Sequence, residues 1–180
     1  MTTTETPHDI VSLLTADHRA VEQLFEPSGT AITRESEEFA LLTEELVRHE
    51  VAEEVVVYPA ITSTADGQRI ADACLDEQAT AEQLLADMEK QEDPVAFGAS
   101  LDQLRAAVLA HAAHEERDVF PLLAEADASQ QAALSARYES AKTKAPTHPH
   151  PHTPDTPPGN TILGPVAALA DRWRDAMRNH

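Results

Sequence analysis

The 180-residue sequence has little cysteine, glycine or aromatic side chain. The single cysteine, Cys74, cannot close an intramolecular disulfide, which suits a reducing compartment, and its place on an apolar stripe predicts a buried, unreactive thiol. Five glycines and an aromatic content of 4%, together with long stretches rich in Ala, Glu, Leu and Gln, favour helices over sheets. The composition therefore predicts an all-α fold.

Positive charge is also scarce. The chain has 32 acidic residues against 13 lysines and arginines, which gives a formal net charge of −19. Such a field repels phosphate, so we expect no nucleic-acid surface and a protein that attracts cations. No apolar run approaches the roughly 18 to 20 residues that cross a bilayer, and residues 1–9 lack the basic and apolar parts of an export signal. We expect a cytoplasmic protein without a membrane span, and these features leave the oligomeric state open.

One motif occurs twice in the chain. The pattern H-x-x-x-E-E-x-x-x-[Y/F]-P begins at His49 and again at His111, a displacement of 111 − 49 = 62 residues. On an α-helix, residues four apart point the same way from adjacent turns, so each copy presents an imidazole and a carboxylate on one face. The pairs are His49 with Glu53 and His111 with Glu115. The proline in each copy predicts that the helix ends or kinks shortly after the carboxylate.

A fainter repeat precedes each copy. Residues 17–25 align with residues 77–85 at a displacement of 77 − 17 = 60, so the chain reads as two related helical hairpins. In this alignment His18 of the first hairpin faces Gln78 of the second. The first hairpin therefore offers three candidate metal ligands and the second only two.

The apolar periodicity predicts four long helices at about residues 9–25, 34–57, 69–89 and 95–119. Short loops between them favour an up-down-up-down four-helix bundle. A short helix is predicted at about residues 129–142, and we assign residues 1–144 to the bundle domain. Residues 145–164 are rich in Pro and His and predict a linker, with weak metal binding by its histidines as the less favoured alternative. Residues 165–180 predict an amphipathic helix that packs on the bundle or on a partner.

Five side chains would converge inside such a bundle. They are His18, His49, Glu53, His111 and Glu115. Neutral imidazoles and carboxylates suit first-row transition metals, and two carboxylates from facing helices can bridge two ions. The pattern therefore points to a dinuclear iron centre. A structural zinc site is less favoured because this set contains no thiolate.

The two copies of the repeated motif and the Asp-His-Arg triplet at 17–19 resemble the hemerythrin-like family, in particular the bacterial HHE cation-binding domains. The similarity covers roughly residues 9–125. It implies a four-helix bundle with two iron ions, oxo- or hydroxo-bridged and carboxylate-bridged, that serve O2 binding, oxygen or iron sensing, or peroxide and nitric oxide chemistry. The five convergent residues match family ligands.

The third helix departs from the family pattern, which places one or two histidines there. Gln78 occupies the expected position, so we expect the neighbouring Glu77 to act as the sixth metal ligand, with Glu82 or water as the alternatives. Tyr58, Gln78 and His114 are expected beside the ligands. Tyr58 is a hydrogen-bond donor, a phenolate ligand or a packing residue in this interpretation.

The missing histidine bears on function. A site with fewer histidines has more open coordination positions, and the sequence in this respect resembles mycobacterial hemerythrin-like proteins that act on hydrogen peroxide. The resemblance implies a protein of oxidative or nitrosative stress with catalase-like decomposition of peroxide. The alternative is a non-catalytic sensor or store for O2, NO or iron.

Overall fold

A computed structural model describes residues 9–26 and 31–147, and this part of the chain is helical without strands. The helices are α1 (Ile10–Leu24), α2 (Glu37–Ala52), α3 (Tyr58–Ile61), α4 (Gly67–Met88), α5 (Pro94–Asp118), α6 (Phe120–Ala124) and α7 (Ala128–Lys144), and a π-helical turn (Glu53–Val57) joins α2 to α3. The long helices α1, α2, α4 and α5 form the four-helix bundle. The predicted all-α bundle is thus confirmed. The C-terminal helix and almost all of the linker lie outside the described residues.

Side chains at the helix starts fix where several elements begin. Asp9, Ser36 and Asp93 cap α1, α2 and α5 by accepting hydrogen bonds from free backbone N–H groups of the first turn. Asp127 and Gln130 form a reciprocal capping box at the start of α7. Such caps are worth about 1 kcal/mol each. They set the registers in which the helices present their ligand faces.

The second predicted helix is not one continuous α-helix to residue 57. It changes to π-helical geometry at Glu53 and resumes as α3, with Pro59 in the first turn. A proline inside a helix lacks an N–H and clashes with the carbonyl four residues earlier, so the wider π turn accommodates it without ending the helix. In the second copy of the motif, α5 ends at Asp118 and the short α6 follows. The π turn carries Glu53 into the bundle.

The apolar core is divided into two clusters along the bundle. One cluster includes Ile10, Leu14 and Tyr138, and the other includes Val21, Leu46 and Val108. A layer of buried polar side chains separates them, because His18 lies between Leu14 and Val21 on α1 and the repeated motif interrupts α2 and α5 at the same depth. The two apolar ends therefore hold a polar layer in place.

Helix α7 packs across the bundle as a fifth helix. It contacts α1, α2 and the π turn, and it buries Tyr138 and Ala141 in the first core cluster. The predicted short helix at 129–142 is found at Ala128–Lys144. No helix in the described ranges is long and apolar enough to cross a membrane.

Candidate metal centre

Four of the predicted ligands meet in the polar layer. His18 comes from α1, His49 from α2, Glu53 from the π turn and Glu115 from α5, and one ligand atom of each lies within 4.8 Å of the others. Nε2 of His49 is 3.1 Å from Oε1 of Glu53, and Nε2 of His18 is 3.2 Å from Oε2 of Glu115. All four residues are buried. We call them the four-donor group.

The free atoms of this group fit a metal cation. Nε2 of His18, Oε1 of Glu53 and Oε2 of Glu115 are buried without a hydrogen-bond partner, although they lie close together. A buried polar atom without a partner costs about 1–3 kcal/mol, and native structures contain few of them. Imidazole nitrogens and carboxylate oxygens are suitable donors for iron and other first-row ions. A single cation between them would satisfy all three atoms.

The electrostatics of the group also favour positive charge. Burial opposes the charged form of His18, yet Glu115 and Glu53 outweigh it and raise the pKa of His18 to about 10. Burial and the neighbouring Glu115 raise the pKa of Glu53. Burial would also raise the pKa of Glu115, but His111 and His18 lower it to about 2. Without a metal, the protonated imidazole of His18 therefore supplies the charge that the carboxylates require.

Tyr58 and Gln78 occupy the far side of the two carboxylates. Gln78 Nε2 donates to Oε2 of Glu53 at 2.9 Å and to the hydroxyl of Tyr58 at 2.6 Å, and that hydroxyl donates to Oε1 of Glu115 at 3.0 Å. Burial and the carboxylates Glu115 and Glu53 raise the pKa of Tyr58 well above its usual value, so it is a neutral phenol here. A second ion bridged by both carboxylates would have to displace these hydrogen bonds.

The remaining predicted ligands lie between α4 and α5. Nδ1 of His111 is 2.8 Å from Oε2 of Glu77, and Nδ1 of His114 is 2.9 Å from the other oxygen of Glu77. Glu77 is therefore not in the four-donor group. In the described ranges it forms a second group of possible ligands with His111 and Cys74, again within 4.8 Å of one another. Glu82, the alternative for this helix, belongs to neither group.

Two residues that sequence reasoning missed support His49. Tyr138 of α7 donates its hydroxyl hydrogen to Oδ2 of Asp17 at 2.8 Å, and the same hydroxyl lies 2.7 Å from Nδ1 of His49. Since the hydroxyl hydrogen points to Asp17, Nδ1 of His49 carries a hydrogen and donates it to Tyr138. Nε2 is then free to bind a cation, as in metal sites whose histidines donate to an outer partner. Lys142 holds Asp17 in place with an ion pair of 2.9 Å.

Glu116, the second glutamate in the later copy of the motif, supports His18 in a similar way. Oε1 of Glu116 lies 3.1 Å from Nδ1 of His18 and accepts a hydrogen bond of 2.8 Å from Arg19. The sequence shows the doubled glutamate of the motif, but it does not show which helix Glu116 meets. No sequence signal identifies Tyr138, whose helix the motif does not include.

A cavity adjoins the polar layer. Its volume is about 270 Å³, and its wall contains His18, His49 and His111 together with apolar residues such as Val21 and Val108. Arg19 and Glu116 also line it. Since a water molecule takes about 30 Å³ of liquid volume, the cavity can admit small molecules to the side of the four-donor group.

Comparison with known proteins agrees with this arrangement. The profile of a protein family described as the hemerythrin HHE cation binding domain matches residues 9–123. An uncharacterized hemerythrin-like protein of Schizosaccharomyces pombe is 33% identical over 138 residues, which cover 74% of this chain and 68% of that protein. No solved structure matches the chain. Helix α7 lies beyond the residues that the family profile matches, whereas the four-donor group lies within them. The chain belongs to the hemerythrin HHE cation-binding family.

Proposed function

We propose that this protein is a non-haem di-iron protein that decomposes hydrogen peroxide in a catalase-like reaction, 2 H2O2 → O2 + 2 H2O, in the cytoplasm during oxidative or nitrosative stress. The observation that carries the proposal is the four-donor group, whose buried free atoms converge beside a cavity that small molecules can enter. His18, His49, Glu53 and Glu115 would hold one iron ion, and His111 with Glu77 would contribute to a second. Iron supplies the redox chemistry when bound, because it cycles between two oxidation states.

The protein's own residues would prepare this reaction in two ways. If these four residues held an ion that prefers six ligands, coordination positions would remain open for a small molecule. Tyr58 holds its proton at the hydroxyl oxygen, within hydrogen-bond distance of Glu115, and keeps that carboxylate from rotating.

Oxygen release tests the proposal. The iron-loaded protein is mixed with hydrogen peroxide in an oxygen electrode, and sustained O2 evolution with many turnovers per chain is the expected result. A stable optical spectrum under air without turnover would contradict the catalytic reading. That result would support the alternative, a sensor or store for O2, NO or iron. The observation that favours this alternative is the direct contact of α7 with His49 through Tyr138.

The Gln78 position offers a sharper test. Gln78→His adds an imidazole beside Glu53, which should fill an open position, slow peroxide turnover and favour stable O2 binding. Gln83→His is the matched control, because Gln83 lies on the same helix and pairs with Asp87 away from the polar layer. Equal loss in both variants would point to a general effect on α4. Unchanged turnover in Gln78→His would mean that this position does not limit the chemistry.

A further inference from the structure

The second group of possible ligands includes the chain's single cysteine. Cys74 and Glu77 are three residues apart on α4, so they share a face, and that face meets His111 of α5. A ligand atom of each of the three lies within 4.8 Å of the others. Cys74 and His111 are buried, and the side chain of Glu77 is 40% exposed. The group is thus closed on the inner side and open toward solvent at Glu77.

The sequence predicts that Glu53 and Glu115 bridge two ions, but one oxygen of each carboxylate already accepts a hydrogen bond in this structure. The outer oxygens of Glu53 and Glu115 accept hydrogen bonds from Gln78 and Tyr58. A second ion at those oxygens would have to break both bonds. The group on α4 and α5 shares no residue with the four-donor group, and an ion there would replace the hydrogen bonds that join Glu77 to His111 and His114 with metal–ligand bonds.

Each group can neutralise one divalent ion, but the second group does so only if Cys74 binds as a thiolate. Glu53 and Glu115 carry two negative charges, which neutralise one divalent ion beside neutral His18 and His49. Glu77 alone would leave a second divalent ion with an excess positive charge in a largely buried place. A thiolate at Cys74 makes that second set neutral as well. Burial of charge is tolerated when it is compensated in this way.

We propose that Cys74, Glu77 and His111 form a second metal site, with one thiolate, one carboxylate and one imidazole ligand. This proposal rests on the proposed function in that both invoke a second ion near His111. On binding, the sulfur–hydrogen bond of Cys74 breaks, its proton passes to solvent and a metal–sulfur bond forms, without oxidation or reduction. Three protein ligands of these types suit a divalent first-row ion of intermediate softness and leave a position for water at the exposed Glu77 side.

Cobalt(II) titration of the full chain after removal of metal is the test. Cobalt bound to a thiolate gives a charge-transfer band in the near ultraviolet, and any such band belongs to Cys74 because the chain has one cysteine. We expect two site-bound equivalents and this band. Cobalt held by histidines of residues 145–164 would add equivalents but no band. Absence of the band in the parent protein would overturn the proposal.

Two variants assign the ions. Cys74→Ser should abolish the band and weaken one equivalent about tenfold or more, at least the loss that removal of an outer partner causes. His49→Ala should weaken the other equivalent and keep the band. A band that persists in Cys74→Ser would overturn the proposal. Because cobalt titration involves no peroxide, failure of the proposed function would leave this result unaffected.

The thiol itself provides a measurement that does not need a variant. Alkylation of Cys74 in mild denaturant should slow severalfold when the parent protein holds divalent metal. The His49→Ala protein is the control, and its thiol should still be protected, because its second group is intact. Equal alkylation rates with and without metal in both proteins would overturn the proposal, even if Cys74→Ser failed to fold.

Discussion

Replacing Tyr138 with phenylalanine should weaken the first metal site through α7. The change removes the hydroxyl that lies 2.7 Å from Nδ1 of His49 and 2.8 Å from Oδ2 of Asp17, and it leaves the buried ring in place. Nδ1–H of His49 then loses its acceptor. A buried donor left without a partner costs about 1–3 kcal/mol of stability. The loss should fall in the lower half of that range, because Asp17 lies only 3.8 Å from Nδ1 and keeps its ion pair with Lys142.

The effect on metal binding should be larger than the effect on folding. Outer partners of a metal-bound histidine fix its orientation, and their loss lowers affinity about 10–100-fold. The assays are denaturant unfolding of the metal-free protein and cobalt or iron titration against a competing chelator. Thr143→Ala is a matched control on α7, because the Thr143 hydroxyl donates to the carbonyl oxygen of Glu139 on its own helix. Its stability and affinity should stay near those of the parent.

Two patterns of results would refute this reasoning. If Tyr138→Phe kept the parent's affinity and unfolding midpoint, the hydroxyl would not orient His49. If it lowered the affinity of both metal equivalents equally, α7 would act on the whole bundle rather than on one ligand. We expect affinity to fall only at the site that contains His49, with the cobalt–thiolate band unchanged. This result would separate an effect on one ligand from an effect on the whole bundle.

Three further predictions concern the ligands, the C-terminal part and pH. His49→Ala and His111→Ala should each lower iron content and the thermal midpoint of the iron-loaded protein, because a buried carboxylate loses its partner. If both variants keep full iron and melt like the parent, this prediction is wrong. Deletion from Pro146 onward should leave a cooperatively unfolding, iron-binding protein, since α7 ends at Lys144, and circular dichroism with metal analysis measures this. In the metal-free protein, the pKa of His18 is raised from 6.5 to about 10, so its stabilising charge is complete below pH 6.5 and is lost as the pH rises through 10. Denaturant titrations should show this decline, and His18→Gln should flatten it.

The sequence alone determined the helical class and the shared helix face of each His-Glu pair of the repeated motif. Each pair lies on a single helix, where a spacing of four residues fixes the direction of both side chains whatever the rest of the chain does. The predicted short helix after the bundle was also a local feature, since its residues and cap lie within one segment.

The tertiary structure decided which of the predicted donor side chains lie close together. Gln78 and Glu77 are neighbours on α4, yet Gln78 bonds Glu53 and Tyr58 whereas Glu77 turns toward α5. That choice depends on how α4 is rotated against α2 and α5, which no local pattern encodes. The same rotation turns the helix face shared by Glu77 and Cys74, which was predicted to be an unreactive core thiol, toward His111.

The supports of the histidines were equally beyond the reach of the sequence. His49 and Tyr138 are 89 residues apart, and His18 and Glu116 are 98 residues apart. The first contact exists because α7 packs against α2, and the second because α1 packs against α5. A local sequence pattern specifies which way a side chain leaves its own helix, whereas the partner it meets is fixed only when the helices pack.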